Sequence, residues 1–197
     1  MACVKKIKID DTIYTADVHF RTAIRCNEIA QDENIGDYER VLGIICTMFG
    51  ADALDHPDHY EKLLKWCLKY LSCGQEVEDT HEQPDMDYIQ DMPYIEASFM
   101  SDYQIDLEST DMDWQKFNKL INGLSNSDMG NCCILNRVRN LRNYDASEIK
   151  DRKDKEKIMK AKEMVALKKY KKENHLTKEQ EDSMERLNKI LEKGGIL

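Results

Sequence analysis

Tyr60-Glu-Lys-Leu63-Leu64-Lys-Trp66-Cys67-Leu68-Lys-Tyr-Leu71 decides how this chain is to be read. Tyr60, Leu63, Leu64, Cys67, Leu68 and Leu71 recur at three- and four-residue spacing, which puts them on one helical face and leaves Glu61, Lys62, Lys65 and Lys69 to solvent. Asp55-His-Pro57-Asp58 precedes the stripe, with Pro57 at a first-turn position where its missing N–H is harmless. Gly74 follows where such a helix stops.

The same period continues on both sides. Upstream, Phe20, Ala23, Ile24 and Ile29 form a face behind a cap at Asp17. Asn34-Ile-Gly36 breaks that pattern. Asp37 then caps a second helix with Tyr38, Val41, Leu42, Ile45 and Met48/Phe49 inward, ended by Gly50. Downstream, a helix carries Ile95, Phe99 and Tyr103, with Pro93 either in its first turn or kinking a helix begun at Asp87. Thr110 with Asp113 resembles a capping box before Trp114, Phe117, Leu120/Ile121 and Leu124. A further helix runs from about Ser127 with Ile134/Leu135, Val138 and Leu141 inward. Only the opening differs. Val4 to Thr15 alternates apolar and polar residues around Asp10-Asp11, as a short β-hairpin does, and a lone hairpin must lean on helices to persist. The fold class is therefore mainly α, a compact helical domain with an N-terminal β-hairpin and protruding C-terminal helices.

Composition supports that class. The 197 residues hold only 8 Gly and 3 Pro, too few for a sandwich of many tight turns. No apolar run approaches the ~20 residues that cross a bilayer, and no signal segment opens the chain. Seven cysteines, odd in number and without paired spacing, read as free thiols in a reducing cytoplasm.

Charge divides the chain into two regions. Residues 1–149 hold 14 Lys/Arg against 28 Asp/Glu, whereas residues 150–197 hold 15 against 10. Between Lys69 and Lys116 lie 13 acidic residues and no basic one, with a flexible acidic loop at about 75–87. An acidic helical body (1–145) thus precedes a net basic helical extension (146–197). In the extension Ile158, Ala161, Val165 and Leu167 form a thin seam, and Thr177, Met184, Leu187 and Leu191 mark a last helix. Such a body repels nucleic acid and anionic membrane, and neither is expected as a partner.

No residue pattern points to catalysis. His56 and His59 are spaced to face one metal ion, but polar residues at a helix start are needed for capping, which is the expected role. The run Glu76, Glu78, Asp79, Glu82, Asp85, Asp87 lacks the spacing and glycine of a calcium loop. Gly-x-Ser-x-Gly, Cys-x-x-Cys, His-Glu-x-x-His and glycine-rich phosphate loops do not occur. Cys132-Cys133 is expected to pack inside a helix, and interleaved acids turn Lys150–Lys172 into a solvated helix. No catalytic residue, metal or cofactor is assigned, and a metal-dependent or nucleic-acid-acting enzyme is the weakest of three readings.

Five phrases carry a resemblance. They are Asp17-Val-His-Phe20-Arg21-Thr-Ala-Ile24, Asp87-Tyr-Ile-Gln-Asp91, Tyr94-Ile-Glu-Ala-Ser-Phe99, Asp102-Tyr103-Gln-Ile-Asp-Leu107, and Met112-Asp-Trp114-Gln-Lys-Phe117 through Leu124. With Arg137-Val-Arg139, Asp154-Lys-Glu156 and Lys168-Lys-Tyr170 they make most of residues 4–175 similar to the bacteriophage "gene product fifteen" family of long-tailed phages and prophages. The resemblance implies a gene placed just before the tape measure protein, and so a non-catalytic tail assembly chaperone that binds the tape measure protein. It also implies possible contact with the tail tube protein and a homo-oligomer. Such a protein resides in the host bacterial cytoplasm and leaves before the virion matures. The alternative is a structural minor tail or connector protein. Phe20, Arg21, Phe99, Tyr103, Trp114, Phe117 and Arg139 are the motif residues expected in the partner site or the core. Gln104 stands where relatives carry Gly, which argues against a positive-φ turn there. Asp113 and Gln115 also depart from the family phrase around Trp114.

Overall fold

A computed structural model of the chain describes residues 3–75, 84–126, 132–147 and 149–168. The elements run β1 (Val4–Ile9), β2 (Thr12–Asp17), α1 (Phe20–Ala30), α2 (Asp37–Phe49), two 3₁₀ turns (Ala51–Asp55 and Pro57–His59), α3 (Tyr60–Leu71), α4 (Met92–Tyr103), α5 (Trp114–Asn122), α6 (Ile134–Asn143) and α7 (Arg152–Val165). The protein is mainly α, as its periodicity predicts. A first compact unit extends through Val165 and so includes α7. The expected final helix around Leu187 and most of the acidic loop lie outside the described residues.

The hairpin is antiparallel, with Ile9 opposite Thr12 and Val4 opposite Asp17. Strand alternation turns Ile9, Tyr14 and Ala16 inward and leaves Val4, Ile13 and Thr15 exposed. Its inner face rests on α2 and α3 in a small cluster of Ile9, Tyr14, Ile45, Ala53 and Leu63. The larger core gathers Phe20, Ala23, Ile24, Ile44, Met48, Cys67, Ile95, Phe99, Trp114, Phe117, Ile121 and Leu135. A short antiparallel crossing closes it: Phe20 N donates to Met112 O (3.0 Å) and Trp114 N to Val18 O (2.9 Å), so the starts of α1 and α5 are joined.

Helix ends depart from the sequence reading in instructive ways. α1 is capped by His19, whose Nδ1 accepts Arg21 N–H at 3.2 Å; Asp17 stays in β2 and accepts from Thr22 Oγ1 at 2.7 Å. Gly36, not Asp37, is the cap residue of α2, and Glu39 reaches back to accept the Gly36 N–H at 2.9 Å. Asp113 caps α5 directly by accepting Lys116 N–H at 3.0 Å, so Thr110 has no such role. Pro93 sits in the first turn of α4. α6 begins at Ile134, capped by Cys133 Sγ, which places both adjacent cysteines before the helix rather than within it. Two stripe residues also point the other way. Tyr38 and Leu68 are exposed, while Ile44 and Tyr70 take the buried positions.

Gln104 adopts the left-handed conformation (φ 55°, ψ 34°) after α4 despite its side chain. Its N–H donates to Met100 O at 3.1 Å and Ile105 N–H to Phe99 O at 3.2 Å, so the α4 terminus and the buried Leu107 beyond it override the local preference. A non-glycine residue in this region costs about 1–2 kcal/mol. Gln104→Gly is therefore expected to stabilise the protein by roughly 0.5–1 kcal/mol, seen as a higher urea midpoint with an unchanged slope. A lower midpoint would show that the Gln104 side chain matters more than its backbone strain.

Candidate functional site

The motif residues mostly build the core. Phe117 lies at the centre of an aromatic group, with ring centroids 4.5 Å from Phe20, 5.3 Å from Phe99 and 5.8 Å from Trp114. Tyr103 meets Phe99 edge-on at 5.7 Å and donates its hydroxyl to Leu120 O at 2.9 Å. Trp114 Nε1 donates to Leu71 O at 2.8 Å, so the buried indole keeps its polar atom satisfied. Arg21 is exposed, lies over Phe20 at 4.8 Å and donates to Leu107 O at 3.0 Å, tying α1 to the α4–α5 connection. Arg139 is half-buried, with Nε 3.1 Å from Asp85 Oδ1 but aligned too poorly for a hydrogen bond, and Nη1 donating to Asn136 Oδ1 at 3.2 Å.

A second polar cluster joins three segments. Arg142, with its side chain 7% exposed, donates Nη1 to Asp91 Oδ2 (2.6 Å) and Nη2 to Asp91 Oδ1 (2.7 Å), and Asp91 is 0% exposed. Arg142 Nη1 also reaches Asp85 O (2.8 Å), and its Nε donates to Val165 O at the end of α7 (2.6 Å). Asp91 Oδ2 accepts Asp87 N–H as well (3.0 Å). A bidentate fork of this kind satisfies nearly every donor of a buried guanidinium. Nothing in the local sequence distinguishes Asp91 from its many acidic neighbours, so the pair was not legible there.

The His56/His59 spacing has a different use from either reading of it. The two imidazoles stack at 5.5 Å; His56 and His59 occupy the N-cap positions of the second 3₁₀ turn and of α3, but neither side chain makes a capping bond. His59 Nε2 faces Asp10 Oδ2 at 3.4 Å, which leaves Nδ1 to accept the Tyr14 hydroxyl at 2.6 Å. Lys62 Nζ grips both Asp10 oxygens, at 2.8 and 2.7 Å. The cluster pins the tip of the hairpin to the start of α3. Among the described residues no group of three or more His, Cys, Asp and Glu is placed to hold a metal ion. Burial pushes the thiols of Cys26 and Cys67 up to about 12, far from nucleophilic range.

The Lys62 ammonium holds the Asp10 carboxyl below the ordinary carboxylate range. A folded-state value below the unfolded one contributes stability above the unfolded pKa, near 4, and loses it as pH falls through the folded value. Lys62→Met should therefore lower the melting temperature slightly at neutral pH, and the two proteins should converge once the pH has fallen through the folded value. A gap that persists in acid would mean that Lys62 acts through packing instead.

One outer face stands apart. Through Ser101, the exposed positions of α4 are Pro93, Ala97, Met100 and Ser101, all without charge, and exposed Ile89 precedes them. Ile134 lies on the flank of this face, since the next residue, Leu135, donates its N–H to Ser98 Oγ at 3.0 Å. Glu96, Asp102, Asp106 and Glu108 lie on or just after the same helix, and none pairs with Lys or Arg among the described residues. Burial opposes ionisation of Asp102, yet the Ser125 N–H it accepts keeps its carboxyl below the usual range. The face is thus apolar with an anionic margin.

The motif phrases span the hairpin to α6, and the family model for the bacteriophage Gp15 protein matches residues 2–167. The chain belongs to that family. It is a phage protein, and the match takes in all seven described α-helices. Neither the curated proteins nor the solved structures yield a match. The aromatic residues of the motif phrases, Phe20, Phe99, Trp114 and Phe117, form a stacked core, are 0–2% exposed and so maintain the architecture.

Proposed function

We propose that this phage protein is a tail assembly chaperone that binds the tape measure protein without catalysis, in the host cytoplasm, and leaves before the virion is complete. Membership of the Gp15 family supports this reading, since the resemblance implies a gene placed just before that of the tape measure protein. The physics is compatible. A tape measure is a long helical chain with apolar stripes, and a helical protein can cover such stripes by helix-in-groove binding. The surplus of acidic side chains in residues 1–149 keeps a complex with an apolar client in solution. No described helix is long and apolar enough to cross a membrane.

Co-expression with the product of the gene immediately downstream tests the reading. That product should become soluble and co-purify only when this chain is present. Solubility independent of this chain would overturn the chaperone role. Mass spectrometry of purified virions separates it from a structural minor tail or connector protein, which would be found in the finished particle.

A further inference from the structure

Two exposed helical faces in this chain complement each other. On α4 the residues Pro93, Ala97 and Met100 follow one another at i, i+4 and i+7, with Gln104, the left-handed residue that ends the helix, at i+11; all are uncharged and exposed. Lys153, Lys157, Lys160 and Met164 of α7 have the same spacing and are likewise exposed, Met164 to 86%. α7 buries no side chain. Its half-buried Ile158, Ala161 and Val165 form the seam that lies toward α6, and Arg142 and Lys162 fasten it through Val165 O and Tyr144 O. On the opposite face Met164 is outermost, with Met159 at its edge, and none of the described residues packs over it.

Charge separates the two faces in sign. α7 holds six basic residues against three acidic ones, whereas residues 84–113, which contain α4, hold no Lys or Arg. Lengths agree too, at about 18 Å for α4 and about 21 Å for α7 at 1.5 Å per residue. Methionine adapts to an uneven partner surface, and lysine stems cover apolar area while their ammonium groups reach acids at the margin.

We infer that α7 of one copy docks on the outer face of α4 of a second copy, so that the chain associates with itself head to tail. The two patches are different surfaces on different helices. Each pairing therefore leaves one α4 face and one α7 face free at the ends, and growth continues until a ring closes or an open array forms. An isologous pairing of two α4 faces would set acidic margins against each other, which charge repulsion opposes. One helix pair covers less than the roughly 1,000 Å² of a stable interface, so each contact is weak and salt-sensitive. The inference does not depend on the chaperone reading.

Sedimentation velocity on the full chain over a concentration series, at about 50 mM and about 500 mM salt, tests this. The wild type should grow beyond a dimer at low salt and fall back at high salt. Met100→Lys places a like charge opposite α7, and Met164→Glu places one opposite the α4 margin; both sites are exposed, and circular dichroism checks each fold. Each variant alone should associate at least about tenfold more weakly. Mixed in equal amounts they should form a dimer and stop, because one retains its α7 and the other its α4 face. A wild type that stays monomeric throughout, a variant that assembles like the wild type, or a mixture no more associated than its components would each overturn the proposal.

Discussion

Asp91→Asn is expected to destabilise the protein by about 3–5 kcal/mol, because it leaves the Arg142 guanidinium buried without its counter-charge. Arg142→Met should cost a similar amount by stranding Asp91, which is 0% exposed. For a chain of this size that corresponds to roughly 10 °C in melting temperature. The double variant Asp91→Leu/Arg142→Met should recover a large part of the loss, since removing both charges removes the desolvation penalty along with the attraction. Urea denaturation compares these proteins, and Asp91→Leu alone closes the cycle. Single variants that lose less than about 1 kcal/mol would show that water reaches the pair and that its bidentate geometry contributes little. The same variants should loosen α7, because Arg142 also donates to Val165 O.

Phe117→Ala should cost about 3–5 kcal/mol. The ring is 0% exposed and lies between Phe20, Phe99 and Trp114, so its removal opens a cavity that three elements, α1, α4 and α5, would have to close together. Rigid helix packing prevents that collapse, which puts the cost toward the upper end. Phe117→Leu should lose about half as much. Trp114 fluorescence reports the change directly, since its ring stacks on Phe117 at 5.8 Å. If Phe117→Ala unfolded at nearly the wild-type urea concentration, the aromatic group would be incidental to the fold.

These two sites differ in how far the sequence reveals them. Phe117 follows Trp114 by three residues and precedes Ile121 by four, so the helical period alone puts all three on one buried face. Asp91 is one acid among thirteen between Lys69 and Lys116, and its partner lies 51 residues away. Local pattern carries no information about a pairing at that distance. Where the period misleads, competition for the core explains it. Leu68 fits the α3 stripe, yet Tyr70 is the residue turned inward, where its ring stacks on Trp66 at 5.3 Å and its hydroxyl reaches Val18 O at 3.4 Å. Gln104 is a left-handed residue without glycine because the bonds that end α4 outweigh its backbone preference.

Periodicity, turn residues and charge by themselves determine that this is a mainly helical protein with an N-terminal hairpin and a surplus of acid in its first 149 residues. Those properties are local, because backbone geometry repeats every 3.6 or 2 residues and reads out in the chain itself. Only the tertiary structure decides that the motif aromatics form the core and not a binding face, that Arg142 gathers Asp91, Asp85 and Val165, and that the outer faces of α4 and α7 are left exposed by the described residues. Each of these depends on which distant segments meet, and that is settled by packing the whole core at once.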